Sequence, residues 1–336
     1  MKRKFFFMLV ALLATVAVQA QQISVVAEDG TTSMYRTLQE AIEGASGGSV
    51  VYLPGGGFSI ADSVKITKKL TIIGIGHKVK GANADGNTTI SGNLFFNEGS
   101  SGSAVMGCYI TGNINIGDGN AEVNDIFIKC CNLNSVQVKS AAVTGTFINQ
   151  NYIRSLCNFG GSVVTLKNNI THRIKNVKMG IIQNNCILGP MNGPNDYDCA
   201  ISSVYDTIFD GNIFYGSYDK LLLNYWLTPN SGNQNITNLY CCAERAFFYT
   251  NENDVATIEA TPSDLFNNYN NWIISPSSNF HFKEAYQQYE SLCGIYAGTG
   301  FDDGQMPPVP YISSKYIPGE TDASGKLHIQ VTVNAK

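Results

Sequence analysis

Charge is scarce in this chain: Asp, Glu, Lys and Arg together make up 14% of 336 residues. Coiled coils, long solvated helices and charged disordered tails all need more. Tryptophan is nearly missing, with two residues, and the nine cysteines contain no C-x-x-C pair. That removes zinc-knuckle and thioredoxin-type chemistry. Beyond residue 20 no apolar run approaches the about 20 residues of a membrane-spanning helix. The formal net charge of −4 is a poor field for nucleic acid. Glycine, by contrast, is plentiful at 33 residues, which suits a fold with many tight turns.

The first 20 residues read as a secretory signal. Lys2, Arg3 and Lys4 precede an apolar core over 5–18, and Val18 and Ala20 are placed for cleavage near Ala20. This predicts a protein that is secreted or held at the cell surface or in the periplasm. Removing those three cations from 22 leaves 19 against 26 acidic residues, a net charge of −7. An odd number of cysteines leaves at least one thiol unpaired. Because Cys131 and Cys186 sit inside the repeats described next, buried thiols are expected rather than a disulfide framework.

Asparagine-centred segments recur: Cys131-Asn132-Leu133, Gln150-Asn151-Tyr152-Ile153, Asn168-Asn169-Ile170, Asn184-Asn185-Cys186-Ile187 and Gly211-Asn212-Ile213. The central asparagines stand 19, 18, 16 and 27 residues apart, each after a short run of alternating Ile, Val and Phe. Strands are expected near 104–111, 125–132, 146–153, 162–170, 180–187, 207–214 and 235–242. Repeats of this length, made of brief β-rich stretches, predict an all-β solenoid with one turn of a parallel coil per repeat. Adjacent turns rise by about 4.8 Å, so Asn132, Asn151, Asn169, Asn185 and Asn212 are expected to stack as a structural ladder, amide on amide.

Ahead of the coils, a strand is expected over 23–27 and a helix over 37–45, with Leu38, Ala41, Ile42 and Ala45 on one face. The segments TLQEAIEGA (37–45), SVVYLPGG (49–56) and SVKITKKLTIIGIG (63–76) follow in an order that resembles the start of right-handed parallel β-helix proteins of the pectate-lyase-like superfamily. The resemblance covers the N-terminal part in sequence and the later coils in pattern. It implies a right-handed parallel β-helix over 21–300 with an N-terminal capping helix and an irregular C-terminal cap. Residues 189–198 and 215–233 read as excursions, and 284–289 as a short helix. In 301–336 a proline-rich crossing (Pro307, Pro308, Pro310) leads to a strand at 327–333, expected to pack back on the coil.

The superfamily generally places ligands on the outer face of a parallel sheet, so outward polar columns are the candidates. Three residues after the repeat asparagine come Arg154 and His172 on neighbouring turns, with Lys167, Arg173, Lys175 and Lys178 close in sequence. Tyr215, Tyr218, Tyr225 and Trp226 offer flat rings for sugars. Arg173-Ile174-Lys175 is similar to the "RIK" element of polygalacturonases, but the paired aspartates of that family have no counterpart. Segment 206–211 is faintly similar to a pectin methylesterase element, with its second aspartate misplaced. The calcium cluster of pectate lyases is also missing. Asp196 and Asp198 form a loop pair that could face one cation, calcium being the candidate, although no cofactor is required. The leading expectation is a monomer that binds an extracellular or cell-surface polysaccharide through Arg154, His172, Arg173, Lys175, Tyr215, Tyr218 and Trp226, without catalysis and without nucleic acid. A polysaccharide lyase acting on a uronic-acid polymer, with Lys175, Arg173, His172 and Arg154 around the bond cleaved, is the alternative. A structural adhesin is a second alternative.

Overall fold

The computed structural model describes residues 22–77, 86–119, 122–140, 142–189, 200–215, 232–242, 255–269, 274, 278–298, 300–301 and 311–334. The signal segment, Asp196, Asp198, Tyr218, Tyr225 and Trp226 lie outside them.

Short strands stack into two long sheets, of 11 and 13 strands, whose strands are mostly parallel. The first begins with an antiparallel group, Thr32–Tyr35, Ile23–Val26 and Val50–Leu53. It continues in parallel through Thr71–Gly74, Ala104–Met106, Phe127–Lys129, Thr146–Asn149, Val164–Lys167, Ile181–Gln183 and Ile208–Asp210. In each of these strands one central residue points inward: Val51, Ile72, Val105, Ile128, Ile148, Leu166, Ile182 and Phe209 are all buried. The second sheet carries the returning half of each turn. In some turns this is one long bent strand, such as Tyr152–Ser162 or Ile170–Lys178, and in others two short ones, such as Asn132–Leu133 with Val136–Val138. The chain thus winds as a parallel β coil, as the repeat spacing predicts.

The corner between the sheets explains much of the asparagine and glycine. The bend requires a left-handed residue, and one stands in successive turns: Gly107 (φ 65°), Cys130 (52°), Gln150 (57°), Asn168 (52°), Asn184 (55°) and Gly211 (62°). Glycine and asparagine adopt this conformation at lowest cost. These corners also divide the expected strands; 104–111, for example, becomes Ala104–Met106 and Tyr109–Ile110.

The residue after each corner points into the coil and forms the ladder. Asn151 Nδ2 lies 3.0 Å from Asn169 Oδ1, and the same 3.0 Å step joins Asn169 to Asn185, Asn185 to Asn212 and Asn212 to Asn238. Each Oδ1 also accepts the backbone N–H of the asparagine below, as Asn169 Oδ1 does from Asn151 at 3.0 Å. In Asn151, Asn169 and Asn185 the Nδ2 also reaches two main-chain carbonyls, those of Ile128 and Asn149 at 2.9 Å in the case of Asn151, while Asn212 Nδ2 reaches Ile182 O at 2.7 Å.

Asn132 is not a member. It pairs in register with Tyr152, one position beyond the ladder, and it is Cys131 whose backbone N–H meets Asn151 Oδ1, at 2.9 Å. The Cys131 sulfur lies 3.3 Å from Lys129 O and 3.7 Å from Val105 O, the same two positions an asparagine amide would reach, with one S–H to share between them, and Cys108 donates to Met106 O. Two thiols therefore extend the column downward, and Asn238 extends it upward. The seven described cysteines whose side chains are placed are all free and buried.

Helix Leu38–Gly44 opens with a capping box between Thr37 and Glu40 and buries Leu38, Ala41 and Ile42 against the core. The described residues between 262 and 301 lie along the flank of the second sheet. Leu265, Phe266, Tyr269, Phe280, Phe282, Cys293, Ile295 and Phe301 cover the outward column Tyr152, Ile170, Cys186, Ile213 and Leu239 as a second apolar core. Asn168 fastens this flank by donating to Ile295 O (2.8 Å) and Ala297 O (3.0 Å), and Gln150 donates to Gly300 O at 2.7 Å. Glu284–Tyr289 is a short helix of the 3-10 type.

The last strand corrects the sequence reading. Gln330–Asn334 pairs antiparallel with Tyr311–Tyr316 as a separate hairpin, and Ile329 (56%) and Val333 (58%) are exposed rather than packed on the coil.

Candidate functional site

The cationic residues expected to share a groove are divided among different surroundings. Arg154 and His172 do follow paired residues, Ile153 and Thr171, on adjacent turns. Their side chains, however, are engaged by the main chain. Arg154 Nη2 donates to Ile110 O and Thr111 O at 3.0 Å, Nη1 donates to Asn132 Oδ1 at 2.8 Å, and the guanidinium lies 4.9 Å from the Tyr109 ring centre. Desolvation lowers its pKa below the usual arginine value, opposed by the nearby Tyr109. His172 Nδ1 sits 2.6 Å from Leu188 O; a carbonyl only accepts, so this nitrogen carries the proton. Arg173 and Lys175 flank inward Ile174 on the second sheet, opposite Leu156 and Asn158 of the turn below. Lys167 belongs to the first sheet, on another face.

Tyr215 is also corrected. It is fully buried in the flank core and offers no ring to a ligand. Among the described residues no group of three or more His, Cys, Asp or Glu could hold a metal ion.

The first sheet carries a constellation that the sequence reading missed. Outside the inward residues run two outward columns. One passes through Thr71, Ala104, Phe127, Phe147, Thr165 and Ile181; the other through Ile73, Met106, Lys129, Asn149, Lys167 and Gln183. Phe127 and Phe147 stack, with ring centres 4.8 Å apart and an interplanar angle of 8°. They remain 43% and 37% exposed. The reason lies in their neighbours. Stacking covers one face of each ring, and the outer faces look toward Ala104 and Thr165, whose short side chains cannot cover them.

Around these rings lies a cavity of about 520 Å³ lined by Thr71, Met106, Lys129, Asn149, Thr165 and Lys167 among others. That is within the about 300–1,000 Å³ typical of ligand sites, and its make-up is the usual one of apolar walls with a few polar groups. Lys129, Asn149 and Lys167 stand in one column at strand spacing, and Thr71 and Thr165 in the column of the rings. The available signal was the identical placement of Phe127-Ile128-Lys129 and Phe147-Ile148-Asn149, 20 residues apart.

Fold and site together define a coiled, parallel-stranded β protein with a solvent-facing aromatic groove on one sheet. Comparison of the chain with protein-family models, with curated proteins and with solved structures brought no match.

Proposed function

We propose that the chain is a secreted or surface-held, right-handed parallel β-helix of the pectate-lyase-like type, capped at its N-terminal end by helix Leu38–Gly44. It binds an extracellular polysaccharide without cleaving it. The observation that carries this reading is the exposed Phe127–Phe147 pair with Lys129, Asn149 and Lys167 in the next column. Rings with one free face suit the C–H surface of a pyranose, and the amide and ammonium groups suit its hydroxyls. Register at about 4.8 Å also sets these side chains in line from turn to turn, which suits an extended ligand.

The lyase alternative needs its cations gathered at one bond. Arg154 and His172 are drawn instead toward main-chain carbonyls, while Arg173 and Lys175 face outward elsewhere. Binding without turnover is therefore the better-supported reading.

The test is electrophoresis through gels containing a panel of plant and bacterial polysaccharides. At least one glycan should retard the protein, with and without a chelator, and Phe127→Ala with Phe147→Ala should restore free mobility. Growth of ultraviolet absorbance from an unsaturated sugar, abolished by Lys175→Ala, would overturn it in favour of the lyase.

A further inference from the structure

A second depression lies on the same outer face. It measures about 240 Å³ and is lined by Gln22, Ser24, Tyr52, Leu53, Pro54, Ile73, Gly74 and Ile75. Tyr52 is outward and 38% exposed. Register places it in line with the larger cavity: Ser24 pairs with Tyr52, Tyr52 with Ile73, Ile73 with Met106, and Met106 with Lys129. Ile73 and Met106 form an apolar floor between the two depressions. Past Lys167 the column closes on itself, because Gln183 Nε2 donates to Asp210 Oδ2 at 2.9 Å.

From these alignments we infer that the two depressions are one groove with two aromatic subsites, Tyr52 at one end and Phe127–Phe147 toward the other, and that its occupant is a linear glycan running across the strands. The inference rests on the glycan reading above and adds the ligand's form, its direction and a second contact. From Tyr52 to Lys167 there are five strand steps, about 24 Å at about 4.8 Å each. A pyranose unit advances a linear chain by nearly the same step, so about five units fill the groove, one per strand step. A short or branched glycan would touch only one subsite. Tyr52 brings a hydroxyl as well as a ring, so its end takes both an apolar face and a hydrogen bond.

The probes are linear oligosaccharides of two to six units from a β-1,4-glucan, a β-1,4-mannan and a polyuronate, titrated calorimetrically into the full mature protein. In the series that binds, affinity should rise with length and level off at about five units. Tyr52→Ala should weaken the longest oligomer by about five- to ten-fold and leave the dimer unchanged. Phe127→Ala should weaken every length. Ser24→Trp, which fills the groove beside Tyr52 from a partly exposed position, should reproduce the loss seen for long oligomers and so guards against misfolding of the first variant. Dimers binding as tightly as hexamers, or hexamer affinity unchanged in both Tyr52→Ala and Ser24→Trp, would overturn the two-subsite groove while leaving glycan binding intact. No binding in any series, together with no retardation across the polysaccharide panel, would overturn both.

Discussion

Asn169 shows how much one side chain holds. Its amide donates to Ile148 O at 2.8 Å and Lys167 O at 2.9 Å, and its Oδ1 takes the backbone N–H of Asn151; the bonds to Ile148 and Asn151 are buried and the one to Lys167 is partly so. Asn169→Ala strands these partners where water cannot replace the lost bonds, and each buried unsatisfied group costs about 1–3 kcal/mol. A loss of about 3 kcal/mol or more in denaturant unfolding is expected. Cys131→Ala should cost less, about 1–2 kcal/mol, because a thiol is a weak donor and its loss is mainly one of packing. Equal costs at the two positions would show that the thiol is a full member of the network and not a terminus.

At the scale of elements, the flank from 262 to 301 and the ladder differ in how visible they are beforehand. The ladder was legible where asparagine itself occupies the position, at 151, 169, 185 and 212. It was misread at 132 because the neighbouring asparagine hid Cys131, and a slip of one residue in a strand sends the side chain to the opposite face. The Phe127–Phe147 platform was hidden for a related reason. Column membership depends on register, and two phenylalanines in alternating runs look like any other core residues until the register is known. The flank was legible only as an irregular C-terminal cap, since nothing local says which outward column it covers. Phe280 lies at its centre, with ring centres 5.3 Å from Phe266 and from Tyr269 and 6.4 Å from Tyr152. Phe280→Ala should cost about 3–5 kcal/mol. It should also speed amide exchange at Ile170 and Ile213 while leaving the turns around Val105 and Ile128 protected, which hydrogen exchange read by mass spectrometry would resolve.

Across the whole molecule, buried thiols are strung along the coil. Burial pushes Cys108, Cys157 and Cys186 up to about 12 from an ordinary 9.0, and raises Cys131 and Cys293 as well. The folded form holds these groups protonated. Their contribution is therefore complete below the unfolded thiol's pKa near 9 and is lost as pH rises from there toward about 12. Desolvation of Tyr269 acts with the same sign. Stability followed by circular dichroism should be flat from neutral pH to about pH 8 and fall steeply between about pH 9 and 12. Cys108→Ala with Cys157→Ala should flatten that fall; an unchanged slope would exclude the thiols as its source.

The replacement of amide by thiol at the lower end of the ladder gives the column a direction. Every internal rung must offer an oxygen downward and a nitrogen upward, so a turn copied into the middle has to bring an asparagine with it. Where the series starts, nothing beneath Cys131 demands a carboxamide oxygen, and a sulfur is enough. The turn at Cys108 therefore keeps the column with a small residue alone, and asparagine is required only from Asn151 upward.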